Sequence, residues 1–197
     1  MTITEAPEGI RMADTSDEPT LDMMFEWLEP TPEGYKVEIV EGAVYMSPQR
    51  DTHWQIVRRI VRALEDRFGL KVKVTSDVRI DFEGRLNGLA PDVVKLRDDA
   101  RKDPETGRWN HRDIEFVAEV ISKDTAANDY GSKKATYAAA GVPVYLIVDP
   151  CTGEWHLHTL PKGDEYKGSL SLDFGESVDM TGTVLDLTLD TNDFPRD

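Results

Sequence analysis

The chain has a single cysteine, Cys151, among its 197 residues. One thiol cannot form an internal disulfide, so we expect a reducing compartment. Long apolar runs are also missing, because the densest one, 144–148, is far shorter than the ~20 residues of a membrane span. The first residues, 1–5, lack the basic and apolar pattern of a secretory leader. These absences predict a cytoplasmic protein without a membrane partner.

Several motifs that carry chemistry are absent as well. No cysteine and histidine cluster has zinc-site spacing, no glycine-rich loop has the form that cradles phosphates, and no serine stands in a nucleophile elbow. His156 and His158 alternate on a predicted strand, where an exposed edge is a better interpretation than a soft-metal site. The sequence therefore argues against zinc, P-loop and serine-hydrolase chemistry.

Positive charge is scarce overall but unevenly distributed. The net charge is −15, which ordinarily argues against a nucleic-acid partner. The acidic excess lies in residues 1–33 (−8) and 164–197 (−7), whereas 34–163 contains 20 acids and 20 bases. Within that middle part, residues 50–73 carry seven bases against three acids. The middle of the chain could therefore still contact a phosphate backbone, although a solvated helix face is the better explanation of the basic run taken alone.

The order of the predicted elements indicates one α/β domain. Residues 1–19 are acidic and rich in breakers, so they predict a disordered leader before a domain spanning 20–197. A helix over 52–68 and strands at 72–75, 78–82, 93–96, 115–121 and 144–148 follow from the spacing of apolar residues. A hairpin over 35–46 precedes them, and short β-segments, including an edge strand over 155–160, follow. The prediction is a mixed β-sheet flanked by helices.

Two of these strands each bring one acid to the same place. If 93–96 and 115–121 form an antiparallel hairpin, Asp92 lies opposite Glu119 and Leu96 opposite Glu115. Directly opposed side chains have Cβ atoms ~5 Å apart. Two carboxylates that close repel each other unless a positive group lies between them. A hard cation such as Mg²⁺ meets that need, because it prefers oxygen ligands.

The next helix, predicted over 129–140, offers a positive side chain. Tyr130, Lys133 and Tyr137 share one stripe of this helix, which turns Lys133 toward the core. A lysine in that position requires an acidic partner. It could hold an attacking water, or its stem could simply cover apolar surface. His53 similarly begins the inward stripe of the helix over 52–68, either toward the site or as a capping or core histidine.

The ordered set of these motifs resembles a known family. It consists of Pro91-Asp92, Glu119-Val120-Ile121-Ser122, then Asp129, Lys133 and Tyr137, the 140–143 turn and the strand over 145–150, preceded by the 38–42 and 46–48 segments and His53. The set covers about residues 35–160 and resembles the bacterial Uma family of restriction-endonuclease-like proteins, within the PD-(D/E)XK nuclease superfamily. The resemblance implies a restriction-endonuclease-like αβββαβ core.

The resemblance also implies roles for individual residues. Asp92 and Glu119 would be metal ligands, with the backbone carbonyl of Val120 as a third ligand. The superfamily lysine would stand at position 121, where this chain has isoleucine. Lys133 would replace it, with Lys123 as the alternative. An acid from before the sheet would be Glu38, with Glu41 as the alternative.

The activity implied is metal-dependent hydrolysis of DNA phosphodiester bonds with Mg²⁺ or Mn²⁺ as cofactor. The implied partner is nucleic acid, DNA in the first place, and a homodimer stays open because superfamily members that cut both strands commonly pair. The alternative on the same fold is a nucleic-acid-binding or protein-interaction module without catalysis. The displaced lysine and the acidic chain ends motivate this alternative.

Overall fold

The computed structural model describes residues 18–48, 50–122 and 126–197. Most of the predicted leader and the whole of Lys123 lie outside the described residues. The described helices are α1 (Leu21–Trp27), α2 (Asp51–Phe68), α3 (Ala126–Tyr130) and α4 (Ser132–Ala139). The described strands are β1 (Tyr35–Val40), β2 (Ala43–Pro48), β3 (Val74–Thr75), β4 (Ile80–Phe82), β5 (Asn87–Leu89), β6 (Val93–Leu96), β7 (Ile114–Val120), β8 (Val144–Asp149), β9 (Glu154–Lys162), β10 (Glu165–Asp173), β11 (Val178–Asp179) and β12 (Thr188–Leu189).

Six of these strands form one mixed sheet in the order β10-β9-β8-β7-β6-β3. Strands β7 and β8 are parallel and are joined through α3 and α4, whereas the other neighbouring pairs of this sheet are antiparallel. A second, antiparallel sheet has the order β2-β1-β5-β4, and β11 pairs with β12. The predicted α/β fold with a mixed sheet, flanking helices and additional C-terminal β-segments is confirmed.

Helix α2 covers one face of the mixed sheet. Ile56, Ile60 and Leu64 recur at helical spacing and are at most 2% exposed. Each such side chain contributes ~1.5–3 kcal/mol through the hydrophobic effect. The helix ends at Gly69, whose φ of 83° lies in the left-handed region that favours glycine. The predicted range of 52–68 is therefore correct to within one residue.

The two faces of β7 enter different parts of the core. Phe116, Ala118 and Val120 pack in the same cluster as α2. Val117 packs in the second cluster, which includes Tyr137 of α4. Because side chains alternate along a strand, Glu119 projects to the α4 side together with Val117. The acid of β7 therefore faces the helices of the crossover.

Three predicted details are wrong. Leu96 lies opposite Ile114 rather than Glu115, because a bulge follows Lys95 and shifts the register. The strand predicted over 155–160 is β9, and β10 covers its outer side along nearly its whole length. The predicted single helix over 129–140 is broken at Gly131, whose φ of −114° and ψ of −103° are not helical.

Candidate active site

Asp92 and Glu119 meet at the end of the β6 and β7 pair. The register pairs Val93 with Ala118, so Asp92 and Glu119 are the next opposed residues, at the end of the pair away from the 97–113 connection. The amide of Asp92 donates to Glu119 Oε2 at 3.3 Å, and the amide of Val120 donates to Asp92 Oδ2 at 2.7 Å. Both acids are buried. The two strands therefore hold the two carboxylates side by side, as the hairpin argument predicts.

Lys133 of α4 reaches the same place. Its Nζ lies 2.8 Å from Glu119 Oε1, 2.9 Å from Glu38 Oε2 and 2.9 Å from Asp129 Oδ1. The lysine is 3% exposed. Burial alone lowers the pKa of Lys133, but the charges of Glu119, Glu38 and Asp129 outweigh it and raise the pKa above its ordinary value. Lys133 is therefore an ammonium group fixed by three carboxylates.

A second ammonium group, from Lys36 of β1, lies on the other side of these acids. Its Nζ is 2.6 Å from Asp92 Oδ1, and it lies 3.8 Å from Asp77 Oδ1, 3.8 Å from Glu119 Oε2 and 4.0 Å from Glu38 Oε2. Burial alone would lower the pKa of Lys36, but Asp92, Glu38 and Glu119 raise it above its ordinary value. Two lysines thus offset part of the negative charge of the acidic cluster from within.

Asp129 carries a carboxyl group whose pKa is strongly raised. Burial raises its pKa to about 7, the charges of Glu119 and Glu38 add to the effect, and the ammonium of Lys133 opposes it. Asp129 and Lys133 are four residues apart and span the break at Gly131. The break therefore lets α3 and α4 place the Asp129 carboxyl group against the Lys133 ammonium group.

Two buried tyrosines fix the orientation of the acids. Tyr137 donates its hydroxyl to Glu119 Oε1 at 2.7 Å, and Tyr145 donates to the backbone oxygen of Asp129 at 3.0 Å. Burial and the neighbouring Glu119 raise the pKa of Tyr137 well above its ordinary value, so its hydroxyl remains a donor. Its ring packs edge-on against Phe82. Glu119 is therefore held by a lysine, a tyrosine and a backbone amide.

The acids open into a cavity of about 280 Å³ between the sheet ends and the start of α2. His53 lines this cavity, and its Nε2 lies 3.0 Å from the backbone oxygen of Ile121. Val120 and Ser122 also line it. The rim of the cavity includes Arg50, the residue before α2, and Trp54 in the first turn of that helix. The cavity thus joins the buried acids to a cationic and aromatic entrance.

The structure brings together most of the predicted site residues. Asp92, Glu119, Lys133, Glu38 and His53 all line the cavity or contact its acids. Val120 lines it too, and the role of its carbonyl as a ligand stays a prediction. Glu41 differs, because it is exposed in the turn between β1 and β2 and accepts a hydrogen bond from Ser132 Oγ at 3.2 Å.

Sequence reasoning missed Lys36, Asp129 and Tyr137 as site residues. Lys36 stands two residues before Glu38 and therefore faces the same side of β1. Asp129 stands four residues before Lys133, the spacing of a helical ion pair. These two spacings could have predicted Lys36 and Asp129 as site residues. Asp77 gives no such signal, because it reaches the cluster from the loop before β4 with a φ of 55°.

The donor set around Lys36 fits a hard divalent cation. Asp92, Glu119, Glu38 and Asp77 present carboxylate oxygens within 4.0 Å of one point, its Nζ atom. Oxygen ligands of this kind are those that Mg²⁺ prefers. Among the described residues, no group of three or more histidine, cysteine, aspartate or glutamate side chains is arranged to hold a metal ion as it stands. A metal ion would therefore have to exchange with the Lys36 ammonium.

Comparison with known proteins identifies the family. The chain matches the Uma2 family, described as "Putative restriction endonuclease", over residues 22–192. The chain belongs to the Uma2 family. A similar solved structure is that of a "putative nuclease belonging to DUF820" from Anabaena variabilis, with a TM-score of 0.69 and 17% identity, covering 90% of this chain and 97% of that one. No curated protein matches the chain.

These findings confirm the predicted family and fold. The Uma2 chain shares its restriction-endonuclease-like fold with the Anabaena protein. Family membership supports a nuclease function and, with it, contact with nucleic acid. Within the described ranges, no helix is both long and apolar enough to span a membrane.

Proposed function

We propose that this Uma2 protein is a metal-dependent endonuclease that hydrolyses phosphodiester bonds of DNA. The observation that carries the proposal is that Asp92 and Glu119 lie side by side at the end of one strand pair, with Lys36 against both acids and Lys133 against Glu119. Both acids lie within 4.0 Å of the Lys36 ammonium, so one ion could contact both. The family description supports nuclease chemistry.

Asp92 and Glu119 would hold Mg²⁺ or Mn²⁺, with the carbonyl of Val120 as a third ligand. The ion, when bound, polarises a phosphoryl oxygen and lowers the pKa of a bound water. The amide of Val120 and the hydroxyl of Tyr137 each occupy one oxygen of these acids, and the other two oxygens, Asp92 Oδ1 and Glu119 Oε2, face Lys36, with Glu119 Oε2 also accepting from the amide of Asp92. The ligand orientation is therefore set before an ion arrives.

Lys133 would orient the attacking water and offset the negative charge that develops on the phosphate. Three carboxylates within 2.9 Å stabilise its charged form and engage its three N–H donors, so the attacking water would replace one of these carboxylates as acceptor. Glu38 has a positioning role, because one of its oxygens contacts Lys133 and the other accepts from the amide of Ala90 at 2.9 Å. That amide directly precedes the Pro91-Asp92 turn.

The charge of the cavity supports a requirement for metal. Among the described residues, five carboxylates line it (Glu38, Asp77, Asp92, Glu119 and Asp129) against three permanent cations (Lys36, Arg50 and Lys133). A phosphodiester approaching such a lining is repelled unless further positive charge is present. A divalent cation would supply that charge where the scissile phosphate must lie.

One observation favours the alternative of a binding module without catalysis. Lys36 already pairs with Asp92 at 2.6 Å, so a cation offsets part of the repulsion among the acids without any metal ion. In such a module the acids and lysines would serve only to hold β1, β6 and α4 together. The two candidates make opposite predictions about cleavage.

The deciding experiment incubates supercoiled plasmid, linear duplex and single-stranded DNA with the purified chain in Mg²⁺, Mn²⁺ or EDTA. Asp92→Asn and Glu119→Gln keep side-chain shape and remove the charge, and Asp173→Asn on the exposed strand β10 is the matched control. Metal-dependent cleavage lost in the first two variants and kept in the third supports the enzyme. Intact DNA with a salt-sensitive mobility shift would favour the binding module.

A further inference from the structure

Trp54 is a large aromatic side chain that the core does not use. It is 57% exposed and stands at the rim of the cavity that holds Asp92 and Glu119. The inward stripe of α2 consists of Ile56, Val57, Ile60 and Leu64, and Trp54 lies outside it. An exposed tryptophan beside a candidate nuclease site offers a flat apolar surface at the point where a substrate must enter.

A second groove, of about 460 Å³, begins at the same tryptophan. It follows the outer face of α2, where Arg58, Val61, Arg62 and Glu65 recur at helical spacing, and it ends at Leu70, which is 86% exposed. Trp54 lines both the cavity and this groove. The two concave surfaces therefore share Trp54, which lies between the acids and the groove along the helix.

The groove is cationic on a strongly acidic protein. Arg58 Nη2 donates to Gln55 Oε1 at 3.2 Å and Arg59 Nη1 donates to Gln55 O at 2.7 Å. Among the described residues, neither guanidinium forms an ion pair with a carboxylate. Arg62 pairs with Asp66 at 3.8 Å, but both side chains are more than 70% exposed, so this pair is weak. Two arginines are thus available to phosphate groups.

We infer that the substrate is a DNA strand with unpaired bases, which stacks one base on Trp54 while its backbone follows Arg58 and Arg59. The inference rests on the proposed nuclease function and names its substrate class. A base can stack on an indole only when one of its faces is free, whereas bases inside a duplex are covered on both faces. The cavity of about 280 Å³ is also at the low end of small-molecule sites, so it admits a single nucleotide better than paired strands.

Binding of fluorescently labelled oligonucleotides to the full chain in EDTA tests this inference without cleavage. The probes are a single strand, the matched duplex and a single strand with abasic positions. Trp54→Ala removes the stacking surface and Trp54→Phe keeps an aromatic ring. Trp27→Ala is the matched control, because Trp27 is 67% exposed on α1 and does not line either concave surface.

We expect the single strand to bind at least tenfold more tightly than the duplex. Trp54→Ala should weaken single-strand binding about tenfold, Trp54→Phe should restore most of the loss, and Trp27→Ala should have no effect. Abasic positions should weaken the wild type but not Trp54→Ala, because the variant has no stacking to lose. Arg58→Ala with Arg59→Ala should weaken all probes and reduce the dependence of affinity on salt.

Equal affinity for single strand and duplex, or equal loss of both in Trp54→Ala, would overturn the inference. A different result would reject the proposed function. Selective single-strand binding without metal-dependent cleavage would retain the inference and reject the enzyme. Cleavage of duplex that is unaffected by Trp54→Ala would retain the enzyme and reject the inference.

Discussion

The ammonium of Lys36 lies 2.6 Å from Asp92 Oδ1, at the point where the oxygens of the acidic cluster converge. A metal ion bound by Asp92 and Glu119 needs the same oxygens. Lysine and metal would therefore be competitors for one position. The acidic cluster is stable in either state, because each cation offsets the repulsion among the carboxylates.

Replacing Lys36 by methionine should make folding stability dependent on metal. The variant leaves Asp92 and Glu119 without their nearest cation, and breaking a buried ion pair typically costs about 3–5 kcal/mol. Urea unfolding in EDTA should show this loss, and Mg²⁺ should restore much of it while changing the wild type less. Isothermal titration should show tighter Mg²⁺ binding by the variant.

Lys167→Met provides the control for this experiment, since Lys167 contacts Glu165 on the exposed strand β10. We expect the control to unfold like the wild type with and without Mg²⁺. A Lys36→Met protein that is as stable as the wild type in EDTA would contradict the competition between lysine and metal.

Lys133 should contribute to stability through three carboxylates at once. Lys133→Met leaves Glu38, Glu119 and Asp129 facing one another without their shared ammonium, so we expect a loss of about 3–5 kcal/mol in the free energy of unfolding. Asp129→Asn removes one of these charges. The double variant should therefore be more stable than Lys133→Met alone.

Urea unfolding of the wild type, the two single variants and the double variant forms a complete cycle. A coupling of more than about 1 kcal/mol is expected, because the two side chains lie 2.9 Å apart. Additive losses of stability would show that the ion pair of Asp129 and Lys133 contributes no interaction energy to folding.

Tyr137→Phe removes a single hydrogen bond from Glu119 while keeping the ring. The hydroxyl donates to Glu119 Oε1 at 2.7 Å, so its loss should destabilise the fold by about 1–3 kcal/mol. Glu119 would then be held only by Lys133 and the amide of Asp92, so its orientation would be less fixed and a higher Mg²⁺ concentration should be needed for half-maximal cleavage. A Mg²⁺ titration of cleavage separates this effect from a general loss of folded protein, which would lower the maximum rate without moving the midpoint.

Periodicity in the sequence predicts part of the site. It does not predict the contacts that depend on loops and bulges. Asp92, Glu119 and Lys133 follow from strand pairing and a helical stripe, both of which are local patterns. Lys36 was missed although it stands two residues before the predicted Glu38, because β1 belongs to the second sheet and only the family resemblance, not a local pattern, places that sheet near the end of β6. The contact of Lys36 with the acidic cluster therefore depends on the packing of the two sheets, which local sequence patterns do not predict.

The helix break at Gly131 shows the same limit on a smaller scale. The apolar stripe over 129–140 continues through the glycine, so periodicity predicts one helix. A Cβ at this position would lie 2.8 Å from the backbone oxygen of Ala127, so the backbone there approaches more closely than another residue allows. Glycine permits the break, but only the packing of α3 and α4 around Asp129 and Lys133 reveals it.

His158 should make the protein less stable as the pH falls from about 6.5 to 4. Its ring is 8% exposed and stacks on Tyr145, and burial lowers its pKa to about 4, with Lys134 and His156 adding to the effect. In the unfolded chain a histidine has a pKa of about 6.5. Between these values the unfolded state binds a proton that the folded state does not, so the stabilisation is fully present above pH 6.5 and is lost toward pH 4.

His158→Gln isolates this contribution, because glutamine is neutral throughout and can keep a hydrogen bond to Ser169, whose Oγ lies 3.2 Å from His158 Nδ1. Urea unfolding of both proteins between pH 8 and pH 4 gives the difference in stability. Relative to the variant, the wild type should lose about 1–2 kcal/mol over this range, after allowance for solvent screening of the ring. A difference that stays constant with pH would show that His158 titrates alike in the folded and unfolded chain, and the carboxylates common to both proteins would then account for the acid sensitivity.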